Sequence, residues 1–113
     1  MATLIEPLSK LYQFRERSAV AAFLEENPVL SDVLLEAHRR ILEHFGPDTG
    51  IVLEVIPDPE VGGEQDFVAH IRTSLSSQEA HRRLDLFDRE WWLKQTGQVL
   101  SLLIIDIEFT GQV

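Results

Sequence analysis

Three stretches of this chain, residues 51–56, 66–73 and 100–109, alternate between apolar and polar side chains with a period of two. Successive side chains on a strand point to opposite faces, whereas a helix gathers every third and fourth residue, so this period selects extended backbone. In the first stretch Ile51, Leu53 and Val55 point one way and Val52, Glu54 and Ile56 the other. The second sets Phe67, Ala69 and Ile71 against Val68, His70 and Arg72, and the third sets Leu103, Ile105, Ile107 and Phe109 against Leu102, Ile104, Asp106 and Glu108. A sheet with one apolar face and one largely polar face follows.

Helical spacing fills most of the remainder. Ser18 precedes a short pattern in which Val20, Phe23 and Leu24 share a face, and Pro28 forces Asn27 out of the helical region. Beyond it, Leu30, Val33, Leu34, Ala37, Ile41, Leu42 and Phe45 form one stripe, closed by Gly46 and Pro47. Ser76-Ser77-Gln78-Glu79 has the spacing of a capping box and opens a third helix, with Ala80, Leu84, Phe87 and Trp91 on its stripe. The predicted order is ααββαβ, an α+β domain spanning residues 1–113, with residues 1–16 expected to be flexible or loosely packed. If the helical crossover is right-handed, the last strand lies antiparallel beside the first. The predicted sheet is then three-stranded and mainly antiparallel, in order 3-1-2 with Glu54 central and the helices on one face.

Composition narrows the class. At 113 residues the chain has the size of one domain, and no Pro/Gly/Ser-rich stretch is long enough to be a linker. The start has no basic region followed by an apolar run, and no stretch approaches a membrane span, so a cytoplasmic protein with no membrane partner is the expectation. Absence of cysteine excludes disulfides and thiolate chemistry. The net charge is −9, and no lysine or arginine stands between Arg40 and Arg72, where Glu43, Asp48, Glu54, Asp58, Glu60, Glu64 and Asp66 fall. Such a field repels nucleic acid and attracts basic partners.

The polar strand faces carry the one constellation with catalytic character. In the predicted strand order Glu54 has Arg72 or His70 on one side and Asp106 or Glu108 on the other. Glu54, His70, Asp106 and Glu108 would suit Mg²⁺ or Mn²⁺, whose bound water could attack a phosphoester. The plain alternative is a solvated face with a Glu54–Arg72 ion pair, and no Gly-rich phosphate loop, H-E-x-x-H or G-x-S-x-G accompanies it. No cofactor is indicated. The acidic hairpin loop, with Asp58, Glu60, Gly63, Glu64 and Asp66, matches part of a calcium loop, but Ala69 stands where the bidentate glutamate belongs.

Two further features invite a binding role. Glu36-Ala37-His38-Arg39-Arg40 recurs as Glu79-Ala80-His81-Arg82-Arg83, each copy placing Glu four residues before Arg on an exposed face while Ala turns to the core. Were the two helices adjacent, four arginines and two histidines could gather into an anion site. At the end of the third helix Trp91 fits the core stripe, whereas Leu86, Trp92 and Leu93 need another surface. Either a thicker core or a homodimer interface supplies it.

The runs Phe23-Leu24-Glu25-Glu26-Asn27-Pro28, Leu53-Glu54-Val55 with Asp58-Pro59-Glu60, Leu84-Asp85-x-Phe87-Asp88-x-Glu90-Trp91-Trp92-Leu93 and Ile107-Glu108-Phe109 together resemble a family of small uncharacterised bacterial proteins. The similarity spans roughly residues 18–109, with the D-x-EWWL helix end as its distinctive part. The resemblance implies a stand-alone bacterial domain, one half of a two-gene module similar to toxin–antitoxin pairs, and transfers no catalytic residue. Two functions are therefore expected to compete. One is a non-enzymatic, antitoxin-like accessory that binds a basic protein partner; the other is a metal-dependent hydrolase or nucleotidyl-type enzyme on the polar sheet face.

Overall fold

The computed structural model describes residues 5–57 and 65–110. Its elements run α1 (Ile5–Leu11), β1 (Gln13–Arg15), α2 (Arg17–Glu26), α3 (Val29–Phe45), β2 (Gly50–Pro57), β3 (Gln65–Thr73), α4 (Ser77–Glu90), a 3₁₀ turn (Trp92–Lys94), α5 (Gly97–Leu102) and β4 (Leu103–Phe109). The fold is α+β, as the alternating and helical periods require. The acidic loop with its partial calcium pattern falls on residues 58–64, outside the described residues.

The sheet differs from the expected one. It has four strands in the order β1-β2-β3-β4; β2 and β3 form the antiparallel hairpin, while β1 runs parallel to β2 and β4 parallel to β3. The position beside β2 that the sequence assigns to the last strand is taken by β1, so β4 docks on β3 instead. Glu54 is still on an interior strand, but its outer neighbour is Arg15 rather than Asp106 or Glu108. Side chains from every helix enter one core with Ile51, Leu53, Phe67, Ala69, Ile71, Leu103 and Ile105, so all five helices lie on one face. Two parallel pairs that point in opposite directions, step the same way across the sheet and keep their helices on one face have crossovers of opposite hand. One of them departs from the right-handed norm.

Residues 5–16 are not loose. Leu8 is completely buried, and Tyr12 is buried with its phenol donating a 2.6 Å hydrogen bond to the Leu34 carbonyl of α3. Phe14 packs against the core from β1. Between β1 and α2, Glu16 adopts a left-handed conformation (φ 57°), and its carbonyl accepts from the N–H groups of Ala19 and Val20. Helix α2 thus begins one residue before Ser18, on a backbone cap rather than a side-chain one.

The third predicted helix ends earlier than its periodicity suggests. Ser76 Oγ accepts from the Glu79 N–H at 3.2 Å, which is half of the expected capping box; the Glu79 carboxylate turns to Arg82 and Arg83 instead. Trp91 leaves helical geometry (φ −144°), and the 3₁₀ turn that follows rotates Trp92 into the core. Trp92 is buried, which is the thicker-core alternative, while Trp91 is half-buried against the core with the Arg40 guanidinium 5.9 Å from its ring centre. Leu100 and Leu102 belong to α5, opened by Thr96 Oγ1 accepting from the Val99 N–H, and the strand begins only at Leu103.

Candidate functional site

The outer face of the sheet carries Arg15 from β1, Glu54 from β2, His70 and Arg72 from β3, and Asp106 and Glu108 from β4. Register sets their relations: Arg15 stands opposite Glu54, His70 opposite Asp106, and Arg72 opposite Glu108. Arg15 Nη1 donates to Glu54 Oε1 at 3.0 Å, and its Nη2 lies 3.3 and 3.4 Å from the two Glu108 oxygens. His70 Nε2 is 2.9 Å from the same Glu54 oxygen, and Arg72 Nε is 3.4 Å from Glu108 Oε1. The expected Glu54–Arg72 pair is absent: each carboxylate has a different arginine, and Arg15 joins them.

That junction reveals the shape of the face. Arg15 and Glu108 are on opposite edge strands, about 14 Å apart across the sheet and, four residues out of register, about 13 Å along it if the strands lay flat. An arginine and a glutamate together cannot span that diagonal. The sheet must twist so that these two opposite corners approach each other over its outer face. Burial lowers the affinity of the Arg15 guanidinium for its proton, but the hydrogen bonds and charges of Glu108 and Glu54 outweigh this, and its pKa rises. Val52 and Val68 are buried on this same face, so it is not uniformly wet.

The four residues proposed as metal ligands do not converge. Asp106 is exposed and bends back to accept from its neighbour's N–H, Ile107, at 2.8 Å. Glu54 and Glu108 are engaged by guanidinium groups. Among the described residues, no three histidine or acidic side chains are placed to hold a metal ion. The cleft found among the described residues is not over Glu54. A shallow cleft of about 570 Å³ lies instead beside the α3–β2 turn and the β3–α4 connection, lined by Pro47, Asp48, Thr49, Thr73, Ser74 and Thr110 among others, with Arg72 as its link to the network.

The repeated pentapeptides lie on α3 and α4, two helices that pack together, with Ala37 and Ala80 fully buried. In each copy one glutamate holds both arginines: Glu36 binds Arg39 and Arg40, and Glu79 binds Arg82 and Arg83. The hydrogen bond from Arg40, aided by Arg39, depresses the Glu36 pKa, and those from Arg82 and Arg83 hold Glu79 at about 2. Arg83 also donates to the His44 carbonyl at 3.1 Å. The four arginines therefore do not gather into an anion site, because each is engaged by a glutamate of its own helix. His38 lies edge-on to Tyr12, and burial lowers its pKa; His81 Nδ1 is 2.8 Å from the Ser77 carbonyl oxygen.

Of the interface candidates, Trp92 belongs to the core, Leu86 is half-buried, and Leu93 is 60% exposed. Sequence reasoning missed Arg15, whose only signal is the three-residue alternation Gln13-Phe14-Arg15. Neither a scan against protein-family models nor searches of curated proteins and of solved structures finds a match to this chain.

Proposed function

We propose that this protein is a non-enzymatic, acidic binding module for a basic protein partner, acting as an antitoxin-like accessory does. One observation carries the reading. All eight arginines are held by the chain's own carboxylates, in pairs that involve Glu6, Glu36, Glu43, Glu54, Glu79, Asp85 and Glu108. Positive charge is consumed internally, and the surplus of acid behind the net charge of −9 is what the surface offers a partner. Capture of the tagged protein from its own host, with the captured chain identified by mass spectrometry, tests this. A basic partner whose complex weakens severalfold as salt rises is expected; a salt-insensitive complex with a neutral or acidic chain overturns it.

A second reading, hydrolysis at the sheet face, is favoured by the 2.9 Å contact between Glu54 and His70 with Arg15 beside them. A divalent ion there would have to displace a guanidinium. Saturable calorimetric binding of Mg²⁺ or Mn²⁺, lost in Glu54→Gln, would support that reading, and no binding would retire it.

A further inference from the structure

The edge of β4 has a polarity that the rest of the sheet lacks. The Thr110 N–H donates to the Thr73 carbonyl of β3 at 2.9 Å, so the backbone groups of even-numbered residues in this strand face β3. Alternation then points the N–H and C=O groups of Leu103, Ile105, Ile107 and Phe109 away from the sheet. Of those N–H donors, Leu103 is taken by the Val99 carbonyl at the end of α5 and Ile107 by the Asp106 carboxylate, which leaves Ile105 and Phe109 as the edge donors with no acceptor among the described residues. This is a seven-residue edge, against three residues for β1 at the opposite side. Two large apolar side chains flank it, Ile104 (45% exposed) on the outer face and Phe109 (47%) on the other.

Charge selects the occupant. Glu54 and Glu108 are neutralised by Arg15 and Arg72, whereas Asp106 has no ion pair among the described residues. A second copy bearing the same charge of −9 is repelled. We infer that β4 is a docking edge for an extended, basic segment of a partner protein, which adds as a fifth strand with an apolar side chain over Ile104 and a lysine or arginine on Asp106. The Asp106 carboxylate guards the edge until then: it occupies one donor and deters other strands, as charged edge residues do. When the segment docks, the carboxylate releases the Ile107 N–H to the incoming backbone and turns to the base. The inference rests on the basic-partner reading and gives that reading a place on the molecule.

The probe is a capped heptapeptide, Val-Thr-Lys-Thr-Val-Thr-Lys, which sets valine and lysine two residues apart on one face of a strand, with glutamate in place of lysine as control, and the readout is amide hydrogen exchange of the full chain by NMR. With the lysine peptide at about ten times its Kd, exchange at Ile105 and Phe109 should slow about tenfold, with no effect of the glutamate peptide. Asp106→Lys should invert that preference. Equal action of both peptides, action of neither, or an unchanged preference in Asp106→Lys overturns the inference. Slow exchange at these amides that depends on protein concentration without peptide also overturns it, since a second copy would then hold the edge. Protection by the lysine peptide confined to other elements removes the docking edge while leaving the basic-partner reading intact.

Discussion

Tyr12 offers a test of the N-terminal packing through its proton. It is the single tyrosine of the chain, and burial pushes its phenol far above the ordinary value of 10.0. The folded protein therefore keeps the phenolic proton at pH values where the unfolded chain releases it, so this contribution to stability is complete below pH 10 and is lost as pH climbs beyond it. Ionisation of the unfolded chain alone should cost about 1.4 kcal/mol at pH 11 and about 2.7 kcal/mol at pH 12. Tyr12→Phe loses the hydrogen bond to Leu34, but that carbonyl keeps its partner within α3, so the cost at pH 7 should be about 0.5–1.5 kcal/mol. The variant cannot ionise, and its stability should overtake that of the parent between about pH 10 and about pH 11. Urea unfolding followed by circular dichroism gives both curves, and tyrosinate absorbance reports the same residue directly. Tyrosinate that appears at about pH 10 with the dichroism intact would refute the burial of Tyr12 and the packing of residues 5–16.

Leu8→Ala removes three carbons from a fully buried site and should cost about 2.5 kcal/mol in transfer alone and up to about 5 kcal/mol with the cavity, while Leu93→Ala should stay within about 0.5 kcal/mol by the same urea assay. A double-mutant cycle between Arg15→Gln and Glu54→Gln should give a coupling of about 0.2–1 kcal/mol that shrinks in high salt, because both side chains are partly exposed. The Glu79 carboxylate should titrate by NMR at about 2, so it stays ionised, and its pairs stay formed, until pH falls towards that value; Arg83→Ala should move the titration up. Ser76→Ala should destabilise the protein by about 0.5–2 kcal/mol through loss of the cap on the Glu79 N–H.

The elements with long, clean periods were legible. The stripe through Leu30, Leu34, Ala37, Ile41 and Phe45 and the hairpin of β2 with β3 follow from spacing alone, since each is a local pattern repeated over several turns or pleats, but the register does not: Glu54 stands opposite Val68 and not His70 or Arg72. What escaped were short elements and long-range order. Gln13-Phe14-Arg15 is too brief to show a period, yet it fills the position beside β2 and so decides where β4 goes. Trp91 and Trp92 do not continue the helical phase because the helix ends at Glu90, before both. The candidate site was legible as a set of side chains on one face but not as a set of pairs. Pairing depends on strand order and sheet twist, which reverse the expected partners of Glu54 and Arg72.

The meeting of Arg15 with Glu108, 93 residues apart, has a meaning for the order of assembly. The β2–β3 hairpin closes over a short loop and lies in the middle of the sheet, while each outer strand must return across a helical connection before it can dock. Loop closure of that length is slow, so the centre is expected to form early and the two edges late. Arg15 arrives with one edge and Glu108 with the other. Their contact exists only in chains that have completed both returns, which makes it a seal on the finished sheet rather than a step toward it.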